Sequence, residues 1–258
     1  MTPGGAELLA LATCAVVGGL LVGSFLNVVA WRLPRGESLV LPGSHCPGCE
    51  HPVRPYDNVP VVSWLVLCGR CRDCRAPISA RYPLVEAVTA ALAAGVVLTG
   101  DGVRDVLLGL VLVVLLVPIA LIDLDHRIIP NRLTAVGALA ALAIGLATDP
   151  SGVPEQLAAG AAAGGFLLLA ALARPGGMGM GDVKLAGMLG LFLGREVAVA
   201  LLVALVAGTL VGVAIIARQG AAQGRKTAIP FGPFLALGGV VALLAGPAIV
   251  DWYVATFA

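Results

Sequence analysis

Eight apolar blocks constrain this chain more than any motif it carries. They cover roughly residues 6–30, 83–99, 106–121, 133–147, 156–173, 183–193, 197–217 and 229–250. A bilayer with a hydrocarbon core of about 30 Å takes about 20 apolar residues per crossing. Lipid offers the backbone no hydrogen-bonding partner, so each long block is expected to be helical, the valine-rich run 111–117 included. Hydrophobic residues are 59% of the 258 and charged residues only 12%, and mean hydropathy is +0.99. Soluble domains sit near ~45–50% and ~25%, so a soluble protein is excluded. Membrane lipid is therefore an expected partner. A net charge of +1 argues against nucleic acid as one. The first block lacks a basic flank and is too long for a cleaved signal peptide.

Block 183–193 is short, and the basic residues decide how to count it. With the N-terminus outside and all eight blocks crossing, the inside loops hold every one of the 16 basic residues except Arg104 and Arg195. That is the asymmetry of the positive-inside rule. If the short block does not cross, the loop with Arg218, Arg225 and Lys226 moves outside and the separation weakens. The expectation is an all-α polytopic membrane protein of about eight transmembrane helices with both termini outside. It divides into a first helix (1–31), a polar cytoplasmic module (32–82) and a membrane core (83–258).

The module carries five of the six cysteines and is broken by prolines at 34, 42, 47, 52, 55, 60 and 77. Cys46-Pro-Gly-Cys49 and Cys71-Arg-Asp-Cys74 are separated by 21 residues. Two such knuckles signal a zinc ribbon, because four thiolates satisfy tetrahedral Zn²⁺. A module this small needs a staple, and cytoplasmic glutathione disfavours disulfides. Four thiolates leave no open coordination position, so the expected role is structural. Cys68 also forms a C-x-x-C with Cys71. The second knuckle is read as Cys71 and Cys74, with Cys68 a spare thiol. His45 and His51 flank the first knuckle as solvated loop residues, and Cys14 is expected as a small buried residue of the first helix.

Ionisable residues within spans are costly and therefore usually functional. Asp123, Asp125 and His126 close the third block, Asp182 opens the sixth, and Glu86 lies about one turn into the second. Four glycines fall within Gly176–Gly181 just before Asp182. Two carboxylates at one depth suggest an aspartic hydrolase, in which the ionised member activates water and the protonated one polarises a carbonyl. Asp182 is one member. Asp123 and Asp125 compete for the other place, since they lie about 200° apart on a helix. His126 shares a face with Asp123. The plain alternatives are a helix break at the glycines and solvated acids beside Arg127. A phosphate cradle is not supported, because no strand precedes the glycines.

These residues resemble a known family. The stretches GSFLNVVAWRLPRG (23–36), CPGC…CRDC (46–74), ISARYPLVE (78–86), IDLDHRIIPN (122–131) and GMGMGDVKL (177–185) are similar, essentially end to end, to those of type IV prepilin leader peptidases. These are the bacterial membrane aspartic proteases with a Gly-x-Gly-Asp motif. The resemblance implies an enzyme of the bacterial inner membrane that cleaves the short basic leader of prepilins or pseudopilins at the cytoplasmic face, typically after a glycine. It also implies N-methylation of the new N-terminus with S-adenosylmethionine in many members. It places the catalytic acids on Asp123 and Asp182, with Gly179, Gly181 and Lys184 in the active-site loop. It places structural zinc on Cys46, Cys49, Cys71 and Cys74. Cys68 is extra to the pattern. No residue is implied for the methyl donor, and Glu86 is a candidate for holding amine or cofactor. The alternatives are a peptidase without methyltransferase activity and an ion-coupled transporter, whose acids would sit near the midplane.

Overall fold

The computed structural model describes residues 5–174, 177–220 and 229–257. Gly176, Arg225 and Lys226, which entered the glycine and charge arguments, lie outside them. Among the described residues the long elements are all helical, α1 (Gly5–Arg32), α3 (Arg81–Thr99), α4 (Val103–His126), α5 (Asn131–Thr148), α6 (Val153–Ala173), α7 (Met180–Leu193), α8 (Val197–Gln219) and α9 (Gly232–Phe257), with a short α2 (Val62–Val66). The valine run of α4 is helix, as the absence of water requires.

Among the described residues, seven stretches, not eight, are long and apolar enough to cross a membrane. The difference lies in 180–219, a single stretch of 40 residues. A continuous helix of that length would span about 60 Å, twice the hydrocarbon core. It is broken at Gly194, whose φ of +57° suits glycine. A 3₁₀ turn (Gly194–Glu196) then leads into α8. The 14 residues of α7 reach only about 21 Å. Its first turn starts three residues before the apolar block does, because Met180–Asp182 are recruited by a cap described below.

The chain forms two compact units, residues 1–99 and 100–258. In the first, α1 and α3 pack face to face through glycine. A methyl at Gly19 would stand 2.6 Å from the Ala90 Cα, and one at Gly23 2.8 Å from the Glu86 Cα. Small residues let helix backbones approach where lipid supplies no hydrophobic drive. Only this face of α1 is covered, so Cys14 is exposed rather than buried. At the end of α1 the buried Arg32 donates to the carbonyls of Ser38 (3.0 Å) and Pro42 (2.7 Å), fixing the start of the polar module.

Within that module the two cysteine knuckles have the same backbone. Cys46 N–H donates to His51 (2.9 Å) and Cys71 N–H to Ala76 (2.8 Å). Glu50 N–H donates to Cys46 (2.8 Å) and Arg75 N–H to Cys71 (3.1 Å). Glu50 and Arg75 both have positive φ, 60° and 63°, and single bridges close the two loops at His45–Pro52 and Arg70–Pro77. The residues between Cys71 and Cys74 pin the second knuckle to the 54–57 segment. Arg72 grips Asp57 with Nε at 2.9 Å and 3.0 Å, and Asp73 accepts from Arg54 at 3.1 Å. The Arg72 hydrogen bond holds the Asp57 carboxyl below its usual pKa.

In the second unit α4 is the central helix. Leu112, Leu116, Ile119 and Ile122 on it are buried with Leu185 and Leu189 of α7, Ala200 of α8 and Leu235 of α9.

The glycine contact in the first unit yields a direct test. Gly19→Leu is expected to destabilise the protein by about 1–3 kcal/mol, the usual cost of overpacking. Thermal unfolding in detergent measures it, against Gly18→Leu, where an added Cβ meets nothing within 4 Å.

Candidate active site

Asp123 is the fourth residue from the end of α4, and it is 5% exposed. Its Oδ2 accepts the backbone N–H of Gly232 at 2.9 Å, the first residue of α9. Helix starts leave N–H groups without intrahelical partners, and this one is satisfied by a carboxylate 109 residues away. A methyl at Gly232 would lie 2.6 Å from that oxygen. Asp125 and His126 are exposed on the same helix end. The helix that separates Asp123 from Asp125 thus buries one and turns the other out.

Asp182 is the third residue of α7 and is 9% exposed. Its Oδ2 accepts the N–H of Gly179 at 3.2 Å, while its own N–H donates to the Gly179 carbonyl at 3.1 Å. This is the reach-back half of a capping box, which starts the helix at Met180.

The described glycines before Asp182 act through space rather than through unusual dihedrals. Gly179 has φ −79°, and neither Gly177 nor Gly181 has positive φ. A methyl at Gly181 would stand 3.0 Å from the Ile129 Cβ, so the bare backbone there lets α7 close on the segment that follows Asp123. Lys184 Nζ donates to Asn131 Oδ1 at 2.9 Å, tying α7 to the first residue of α5.

Gly232 was missed by sequence reasoning. The available signal was Pro230-Phe231-Gly232-Pro233 at the start of the last apolar block, a glycine between two prolines where a helix begins.

In the first unit Glu86 is buried, and its Oε2 accepts the Val61 N–H at 2.7 Å. Val61 precedes α2 with φ 60°, a conformation rare for a β-branched residue. All three acids lie near helix ends rather than mid-helix.

The sulfur atoms of Cys46, Cys49, Cys71 and Cys74 lie within 4.8 Å of one another, and Cys46 Sγ is 3.7 Å from Cys74 Sγ. Bonds of about 2.3 Å to a tetrahedral ion place sulfurs about 3.8 Å apart, so the cluster fits one. The Gly48 N–H, 3.4 Å from Cys46 Sγ, leads in pushing that thiol down to about 6. Cys68 is exposed and outside the cluster, which settles the register of the second knuckle.

Residues 17–99 match the bacterial peptidase A24 N-terminal domain, and residues 110–213 the type IV leader peptidase family. The chain is 37% identical, over 92% of each sequence, to the prepilin leader peptidase/N-methyltransferase of Aeromonas hydrophila. It is 37% identical to the protein of that name from Pseudomonas aeruginosa, over 95% of this chain and 94% of the other. It is 38% identical to the type 4 prepilin-like proteins leader peptide-processing enzyme of Escherichia coli, over 91% of this chain and 94% of the other. No solved structure matches significantly.

The twin knuckles lead to a prediction by metal analysis. Cys71→Ser is expected to lose the thiol-bound metal of the purified protein, and Cys68→Ser to keep it. Elemental mass spectrometry reads both. Acidification should release the metal as well, since ligand thiols must be deprotonated.

Proposed function

The chain belongs to the type IV prepilin leader peptidase/N-methyltransferase family, and from that premise we propose that Asp123 and Asp182 are its catalytic pair. One observation carries the reading. Two buried carboxylates stand at the end of α4 and the start of α7, where Gly181 packs on Ile129 and Lys184 bonds Asn131 just after α4, and each is tethered at Oδ2 to a backbone N–H. The tethers fix both side chains and leave Oδ1 of each to act.

Like charges at close range do not both ionise, so the pair shares a proton. The ionised member takes a proton from water as its oxygen attacks the scissile carbonyl carbon. The protonated member gives its proton to the carbonyl oxygen, forming a neutral tetrahedral diol. Collapse of the diol breaks the C–N bond as the proton taken from water passes to the leaving nitrogen and one diol hydroxyl returns its proton to the member that had protonated the carbonyl, restoring the pair. No covalent enzyme intermediate forms. Gly179, Gly181 and Lys184 set the loop, the first by holding Asp182, the second by close packing on Ile129, the third by bonding Asn131.

The substrates that the relatives' names support are prepilins or pseudopilins, cut at the junction of leader and mature chain. The chain is a multi-pass membrane protein. We orient it with Asp123, Asp182 and the module of residues 32–82 toward the cytoplasm, counting α7 and α8 as separate crossings of the core 83–258. This keeps the basic loops inside and both termini outside. The ion that best suits four thiolates in this module is Zn²⁺. Cys46, Cys49, Cys71 and Cys74 would hold it, and its contribution is structural, closing a segment with little core of its own.

The relatives' names also support methylation of the new N-terminus. S-adenosylmethionine would supply the methyl group to the amine that cleavage releases. No glycine-rich nucleotide cradle is present in the sequence, and Glu86 already holds the Val61 N–H. We therefore assign the donor no residue in this chain, and peptidase activity alone is the second outcome to be tested.

Mass spectrometry of a prepilin incubated with the purified protein decides these points. Wild type and Asp125→Asn are expected to release the leader, while Asp123→Asn and Asp182→Asn leave the substrate intact. One added methyl mass in the presence of S-adenosylmethionine establishes the second activity. Cleavage by Asp182→Asn would overturn the pair. Gly232→Ala tests the tether, because its methyl must displace the Asp123 carboxylate. A misplacement of that kind is expected to lower kcat by about a hundredfold with KM and metal content little changed.

A further inference from the structure

Glu86 stands five residues after the start of α3, a membrane-spanning helix of 19 residues, and it accepts the N–H of Val61 at 2.7 Å. The short helix α2 therefore begins beside the first two turns of a span, not beyond its end. The paired helix places this point deeper still. Gly23 of α1 packs on Glu86, and α1 runs on to Arg32, nine residues or about 13 Å further. At that end the exposed Trp31 carries Arg35 over its ring at 3.7 Å, an aromatic and a basic residue where a span meets water. We propose that α2 is seated in the leaflet at this end of α1 and α3, with its outer face among the lipid acyl chains. The seat is independent of the peptidase chemistry above.

The residues of α2 suit that seat. Val62, Leu65 and Val66 recur at i, i+3 and i+4 and form one stripe, which points outward, 55%, 60% and 70% exposed. The side chains with polar atoms turn inward. Ser63 is buried, where its Oγ donates to the Tyr56 carbonyl at 2.9 Å and accepts the Val59 N–H at 3.0 Å. Trp64 Nε1 donates to the Ile78 carbonyl at 3.0 Å. A helix on a water-facing surface has the reverse arrangement, with its apolar stripe toward the protein. The backbone at the start of α2 is also provided for. The N–H of Val61 goes to Glu86, that of Val62 to Pro60 at 2.6 Å and that of Ser63 to Val59 at 3.0 Å. Water would satisfy such groups at a wet helix start, whereas in lipid the protein must do so. This accounts for an acid buried in α3. It also accounts for the φ of 60° at Val61, a conformation that a β-branched residue keeps only where its surroundings impose it. Interfacial helices bury their apolar face about 5–10 Å into the boundary of headgroups and acyl chains. A free helix of five residues would not hold together there, and the bonds of Val61, Ser63 and Trp64 supply what length does not.

Spin-label accessibility tests the seat without relying on turnover. p-Acetylphenylalanine replaces Val62 or Val66 in the full-length protein and takes a hydroxylamine nitroxide, which leaves the thiols untouched. Leu65 serves as a third outward position, and a parental Tm shows that each labelled protein is folded. The proteins are reconstituted in vesicles of phosphatidylethanolamine and phosphatidylglycerol. Collisions of the nitroxide with dioxygen, which concentrates in lipid, and with a nickel chelate, which stays in water, are read by power saturation. Val88, exposed on α3, gives the lipid reference, and Asp101, exposed in the loop after α3, gives the water reference. Labels on α2 are expected to collide mainly with dioxygen, as at Val88. Collisions mainly with nickel, as at Asp101, would put the stripe in water and overturn the proposal. Protection from both would put it under protein, a second copy or another chain, and overturn it equally.

Discussion

Every buried carboxylate among the described residues accepts a backbone N–H at the start of a helix. Asp123 takes that of Gly232 before the body of α9, Asp182 that of Gly179 before α7, and Glu86 that of Val61 before α2. In lipid a helix satisfies all its own backbone groups except those at its ends. Helix starts are therefore where such a protein has donors to spare and partial positive charge to offer an acid. The three buried carboxylates of the described residues sit at such places, and the proposed pair forms where two helix starts, those of α7 and α9, meet the end of α4.

Close backbone approach makes the meeting possible. Bare backbone at Gly232 admits the Asp123 carboxylate, and bare backbone at Gly181 admits Ile129. The same device packs α1 on α3 through Gly19 and Gly23. These glycines are spent on proximity rather than on left-handed turns. Gly194 works the other way, since its positive φ separates α7 from α8.

The four-thiol module solves the opposite problem. It has no long helix and few buried side chains, so order comes from repeating one knuckle twice and pinning the copies with Arg72–Asp57 and Arg54–Asp73. Exposed ion pairs contribute little each. The thiol cluster is what brings the two knuckles together.

The helical class, the span positions and the four-cysteine cluster were legible in the sequence, because each depends on local composition or short spacing. Apolar length dictates helix in lipid, and a C-x-x-C loop carries its geometry within a few residues. Asp182 with Asp123 or Asp125 was also legible, and the family resemblance pointed to Asp123. That Asp123 is buried and Asp125 exposed was decided by tertiary structure alone. Residues two apart on one helix differ only in which neighbour they face, and Asp123 faces Gly232, 109 residues later. The partners of Lys184 and Glu86 were hidden for the same reason, whereas the break at Gly194 falls between the blocks 183–193 and 197–217 that the sequence already separates. Hydrogen bonds between distant helix ends leave no periodic trace along the chain.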